Sequence, residues 1–349
     1  MLRSASAFLV CLALVSFALT RPLVAAEKHP KTEIPKVEIK EWPLPWPDAR
    51  PADPHAEGTQ SVWFVAQSGN FLGRLNTQTA RFSRVDLIDA PEPRALIVAS
   101  GANGLVWYSG SAHGYIGRYD PRTRTLSRFS MTNDAAGDPS ALAWEAGERN
   151  IWLTVEQANI VGRYRLVNSI VDMVGLTTLH AVPSDVAMAP NAGNPWFALS
   201  GTNKLATVDV LRFVLTEFAL PRADARPRQI AFTNDGRLWY TDLAGGYLGV
   251  FTTTTHTTKE WLMPGGKASH PYALAVDSQN RIWSVETGTK PGKLVGFDPK
   301  TQQFFDSTPI PSGGSVLSKM SYDSSSGKIW FATDANTIGY AQVEQIVRP

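Results

Sequence analysis

An all-β fold, a seven-bladed β-propeller with four-stranded blades, is what this sequence predicts, and three observations predict it. A tryptophan recurs at Trp63, Trp107, Trp152, Trp196, Trp239, Trp283 and Trp330, with gaps of 44, 45, 44, 43, 44 and 47 residues. A fixed period in the low forties, built of short strands, is the mark of propeller blades. Around each tryptophan, apolar and polar residues alternate between clusters of turn residues, which is the half-buried strand signal, and no stretch carries a sustained helical period. The last repeat lacks its closing strand, and a matching orphan strand stands near the N-terminus.

Taken in order, the chain opens with Arg3, an apolar run from Ala7 to Leu19, and Leu23-Val24-Ala25-Ala26. This pattern predicts a signal peptide over residues 1–26, removed after Ala26. The apolar run is shorter than the roughly 20 residues that span a bilayer, so no membrane span is expected after cleavage. Cys11, the only cysteine, leaves with the leader. A mature chain without cysteine excludes disulfides and thiolate metal sites, and a periplasmic or secreted location fits. The 33 basic residues exceed the 31 acidic ones by two, and Arg3 and Arg21 of the leader account for that excess. No basic field remains for nucleic acid, and that class of partner is set aside.

Residues 27–36 form a flexible lead-in and residues 37–349 the propeller. Strand A of each repeat follows a proline, as in Pro93-Arg94-Ala95-Leu96-Ile97-Val98. Strand B carries the tryptophan; strand C reads as Tyr115-Ile116-Gly117-Arg118-Tyr119; strand D reads as Thr258-Lys259-Glu260-Trp261-Leu262-Met263-Pro264. The stretch Ile39-Lys40-Glu41-Trp42-Pro43-Leu44-Pro45 repeats the strand D pattern. The last repeat offers strand A at Gly314 to Asp323, B at Ile329 to Thr333 and C at Thr337 to Val343, with no D. The segment from Lys40 to Leu44 is therefore expected to complete the seventh blade and remove a free sheet edge. The seven tryptophans are expected to fill the space between sheets. Gly73, Gly117, Gly162 and Gly249, ten residues on, imply close strand approach. Arg74, Arg118 and Arg163 are expected at the surface or between blades.

In such a ring, the residue after the strand A proline and the residues three or four after the tryptophan converge on one face around the axis. The first set is Arg94, Ser140, Ser184, Arg228 and Tyr272, with His55 and Ser318 as its less regular members; the second yields Asp242 and Glu286. Polar groups thus gather on blades five and six: Arg228, Asp242, His270, Tyr272 and Glu286. Blade six also carries an insertion, Thr289-Lys290-Pro291-Gly292-Lys293, expected to overhang them. Two carboxylates beside a histidine can hold a hard divalent cation or act as acid and base; the bland alternative is wet channel residues tied to one another.

The repeat written as Leu238-Trp239-Tyr240-Thr241-Asp242 and Ile282-Trp283-Ser284-Val285-Glu286 resembles, over all seven repeats, the streptogramin B (virginiamycin B) lyases. That resemblance implies a seven-bladed propeller that opens a cyclic depsipeptide by magnesium-assisted elimination. Glu286 stands where the family has a metal-site glutamate. The family's strand A histidines of two neighbouring blades fall on Arg228 and Tyr272, and an acidic position two before the latter falls on His270. Arginine stays protonated at any relevant pH and cannot act as a base.

Two functions follow as expectations. In the first, Glu286 and Asp242 bind Mg2+, His270 or Tyr272 moves a proton, and Arg228 holds an anionic group of a small-molecule or polymer substrate on the blade five and six face. In the second, the same face binds a ligand or protein without catalysis. Calcium-dependent lactonase propellers have six blades and quinoprotein dehydrogenases eight, so both are set aside.

Overall fold

The computed structural model describes residues 37–343 apart from 88–91, 100–103, 111–113 and 132–136. The expected leader and lead-in lie outside the described residues. Seven four-stranded antiparallel sheets follow one another along the chain. Six of them run A-B-C-D in sequence order; blade five, for example, is built from Pro227–Phe232, Arg237–Asp242, Tyr247–Thr252 and Thr257–Leu262.

Blade seven is closed as the sequence predicts. Its strands are Ser321–Asp323, Lys328–Thr333 and Thr337–Gln342, and the N-terminal strand Glu38–Pro43 pairs antiparallel with the last of these. Strand A here is only three residues long, shorter than the stretch from Gly314 that the repeat suggested. Trp42 stacks on Trp330 with ring centroids 6.2 Å apart. It thereby repeats the stacking of Trp261 on Trp239 in blade five, at 5.6 Å.

The recurring tryptophans are buried, none more than 6% exposed. Each packs against a neighbouring blade: Trp239 of blade five meets Leu274, Ile282 and Phe297 of blade six. Burying such a side chain removes roughly 150–250 Å² from water, which makes these rings the main apolar filling between sheets. The conserved spacing of the glycines has a local cause. Gly73 and Gly249 lie opposite Phe64 and Tyr240 on strand B, and a Cβ at either position would run into that aromatic ring. The glycine therefore makes room for the residue after the tryptophan. Arg74, Arg118 and Arg163 lie over Trp63, Trp107 and Trp152 of their own blades, at 5.3, 5.5 and 5.5 Å, in cation–π contact.

Candidate functional site

The sheet register fixes which strand A residues are equivalent. Ala231, Ile97, Ala143, Ala187, Ala275, Ser321 and His55 each pair with the tryptophan of their blade. Counting back three gives an upper ring of Ala52, Arg94, Ser140, Ser184, Arg228, Tyr272 and Ser318. Counting back two gives a second ring of Asp53, Ala95, Ala141, Asp185, Gln229, Ala273 and Lys319. Six of the seven expected members thus fall into place, Ser318 among them, while blade one contributes Ala52. His55 sits three residues further along, opposite Trp63, because it follows Pro54, whereas the proline equivalent to those of the other blades is Pro51.

The upper ring apart from Ala52, and most of the second, line a polar funnel of about 360 Å³ on the axis. Its charged lining is balanced, Arg50, Arg94, Arg228 and Lys319 against Asp53, Glu92, Glu156 and Asp185. Arg228 and Tyr272 form a pair in its wall. Arg228 Nη2 donates to the Tyr272 hydroxyl at 2.6 Å, and the guanidinium lies 4.9 Å from the centre of the ring. Glu156 of blade three lies between two arginines, 3.4 Å from Arg228 and 3.8 Å from Arg94. Both separations exceed the 2.7–2.9 Å of a strong charge-assisted hydrogen bond, so the two guanidinium forks keep donor capacity for an incoming anion. Burial works against the Arg228 charge, yet Tyr272 and Glu156 more than offset it and raise its pKa.

The other expected site residues serve the loops. Asp242 is fully buried and accepts hydrogen bonds from the backbone N–H of Arg226 at 2.8 Å and of Gly245 at 3.1 Å. Its counter-ion is Arg222, which also bonds Glu260 at 2.8 Å. Glu286, 4% exposed, accepts the N–H of Gly265 at 2.7 Å. Asp334 does the same for Ser315 at 2.6 Å in blade seven. Carboxylates at the end of strand B therefore pin the loop that enters strand A. His270 is exposed, with a left-handed φ of 44°, and its Nδ1 lies 3.1 Å from the carbonyl oxygen of Leu243. None of these three residues lines the funnel. The insertion leans toward blade seven, where Gly292 N donates to Gly314 O at 3.0 Å and Lys290 pairs with Asp334 at 3.4 Å.

Magnesium, implied by the resemblance, does not fit these donors. Asp242 is neutralised by Arg222 and two amides, Glu286 is bonded to an amide, and among the described residues no group of three or more His, Cys, Asp or Glu is arranged to hold a metal ion. A hard divalent cation of this kind takes about six oxygen ligands, part of them carboxylate.

Below the upper ring, Lys319 crosses the axis. Its Nζ donates to Asp185 Oδ1 of blade four at 2.8 Å and to the carbonyl oxygen of Val186 at 3.1 Å. The alanines at three of the seven second-ring positions leave the space through which the side chain runs. Beyond this bar lies a second, apolar chamber of about 330 Å³ whose walls include Leu142, Trp144, Met188 and Phe232, with His55 beside them. Lys319 borders both chambers. Burial, reinforced by Lys319, lowers the pKa of His55 to about 4 and keeps it neutral.

Glu156, Asp53, Asp185 and Lys319 are not among the residues the sequence singles out. Glu156 does carry a signal, standing four residues after Trp152. The second-ring residues carry the signal of their ring once the strand A bulge is counted, and no local pattern announces a bond between residues 134 apart.

Comparison with known proteins follows the same architecture. The family model described as "Virginiamycin B lyase family" matches residues 33–294. A virginiamycin B lyase from Nocardia farcinica (strain IFM 10152) is 31% identical over 190 residues, and the match spans 54% of this chain and 62% of that relative. A solved structure of a catalytically inactive histidine-to-alanine variant of virginiamycin B lyase from Staphylococcus aureus, with quinupristin, gives a TM-score of 0.78 at 20% identity, covering 88% of this chain and 99% of that one. The WD40 propeller domain of Doa1 gives a TM-score of 0.70 at 12% identity, covering 85% of this chain and 94% of that one. At such identities the structural likeness speaks for the fold alone.

Proposed function

The chain belongs to the virginiamycin B lyase family, and from that premise we propose that it is a lyase-type propeller acting on a carboxylate-bearing substrate held in the axial funnel. The observation that carries this reading is the Arg228–Tyr272 pair, with Arg94 beside it and Glu156 loosely held between the arginines. Arg228 and Arg94 neutralise the substrate carboxylate. The Tyr272 oxygen, passing its own proton to solvent, takes a proton from the carbon next to that carboxylate. The freed electron pair forms a carbon–carbon double bond, and the group on the following carbon leaves with its bonding electrons. Arg228 stabilises the charge that grows on the carboxylate as the proton departs. No step passes through a metal.

Elimination is tested by absorbance of the new conjugated double bond, with oligouronates and with quinupristin as substrates. Oligouronates are expected to turn over; Tyr272→Phe should remove turnover by a factor of at least about 100, the scale of one acid–base residue, and leave binding in place. Arg228→Gln should weaken binding itself. A parent that binds oligouronates and never forms the double bond would leave the second reading, a non-catalytic ligand-binding propeller. The staple roles of Asp242 and Glu286 favour that reading, since they free the fold from any catalytic demand at those positions.

The export pattern at the N-terminus supports action outside the cytoplasm. Mass spectrometry of the secreted chain should begin at Glu27, and an intact Met1 on cytoplasmic protein would contradict this.

A further inference from the structure

Asp53 is the one member of the second ring whose placement its structural role does not explain. It lies in the funnel wall on blade one, 9% exposed. Its Oδ1 accepts the backbone N–H of Lys319 at 3.1 Å, and the N–H of Leu96 on the next blade bonds it as well. Equivalent residues staple successive blades in the same way: Asp185 accepts from Ile230 N at 3.0 Å and Gln229 from Leu274 N at 3.1 Å. Gln229 does so with a neutral side chain, so stapling alone needs no carboxyl group.

The charges around Asp53 differ from those around Asp185. The Lys319 ammonium is bonded to Asp185, which leaves Asp53 with amide donors and a second carboxylate nearby. The other titratable groups facing it are His55, kept neutral, and the funnel residues Arg50, Arg94 and Glu92. Burial is the largest influence on Asp53 and, though Lys319 opposes it, raises the pKa to about 7. The backbone is unusual too. Asp53 has φ of 46°, whereas Asp185, Gln229 and the second-ring alanines have none in the left-handed region. A non-glycine residue held there costs on the order of 1–2 kcal/mol.

We propose that Asp53 is the acid–base residue of the funnel: its carboxyl group hydrogen-bonds the anionic ligand and passes its proton to the departing oxygen. The assignment rests on the reading that the funnel holds a carboxylate-bearing substrate. The proton balance closes: Tyr272 gains the proton taken from carbon, Asp53 loses one to the leaving group, and exchange with solvent restores both. A carboxyl group kept protonated by an apolar setting serves elsewhere as just such a donor.

Two measurements decide the matter, both on the parent chain and on Asp53→Asn, which keeps an acceptor oxygen for the two amides. Difference infrared spectroscopy from pH 5.5 to 8.5 should show a carboxylic acid carbonyl band that disappears around pH 7 in the parent and is missing from Asp53→Asn. Calorimetric titration with citrate at pH 7.5, in two buffers of different ionisation heat, should show uptake of roughly half a proton or more per citrate, because the bound anion favours the neutral acid. Asp53→Asn should bind citrate without that uptake. A parent with no such band, or a variant with undiminished uptake, overturns the proposal. Failure of citrate to bind either protein strikes the funnel reading instead, and the infrared band then still decides whether Asp53 is the neutral acid described.

Discussion

Asp53 and His55 stand two residues apart on one strand and respond to pH in opposite senses. The Asp53 value of about 7 lies above that of an unfolded aspartate, near 3.9. The native state therefore holds an extra proton between those limits, and stability falls as pH rises through that window and stays lowered above it. Its upper bound is on the order of 4 kcal/mol, from about 1.4 kcal/mol per pKa unit. Asp53→Asn should remove this loss, so urea unfolding is expected to find the variant more stable than the parent at pH 8.5. At pH 5.5 about half of that difference, on the order of 2 kcal/mol, should remain, and the two should converge only near pH 4. His55, depressed to about 4 from an ordinary 6.5, has the reverse effect: the stability it contributes is lost as pH falls through that interval. Both proteins keep His55, so acid unfolding should look alike in them. At the same scale, the amide-bound Glu286 and the Arg222-paired Asp242 lead to an expectation about metals. Magnesium or manganese should leave the melting temperature of the parent unchanged. A rise that Glu286→Ala abolished would restore the carboxylates to a metal site.

Among the elements, the N-terminal strand has the most to lose. Besides its ladder, Glu41 accepts hydrogen bonds from Ser312 N at 2.7 Å and from the Thr337 hydroxyl at 2.6 Å, and Trp42 covers Trp330. Deleting residues 37–45 removes a strand's worth of pairing and opens a sheet edge, which should cost several kcal/mol. Thermal melting checks this, and a deletion chain that melts with the parent would contradict the closure. Gly249→Ala probes a different contact, the one between strands B and C. Its added methyl meets the Tyr240 ring, and the expected loss is about 1–3 kcal/mol. This level of structure was legible in the sequence, because strand alternation and the tryptophan period are local patterns repeated many times over. Even the missing strand could be read, since Glu41-Trp42 repeats Glu260-Trp261.

For the whole molecule, the site was only half legible. Arg228 and Tyr272 were found because they follow a proline at a fixed offset. Asp242 and Glu286 reach loop amides and not the funnel, and their offset from the tryptophan does not announce it: at the fourth residue Glu156 lines the funnel while Asp334 pins a loop. Lys319 and Asp185 are brought together by ring closure alone, and only the three-dimensional register reveals it. Their bond predicts a specific energetic pattern. Lys319→Met should cost about 3–5 kcal/mol, because it strands a buried carboxylate. Lys319→Met with Asp185→Asn should recover much of that loss, as chemical denaturation of both variants will show. The same crossing side chain also sets the traffic through the protein. Lys319 borders both chambers, so the bond it makes to Asp185 is also a bar across the bore, and a side chain released from that bond would widen the passage from the polar end to the apolar one.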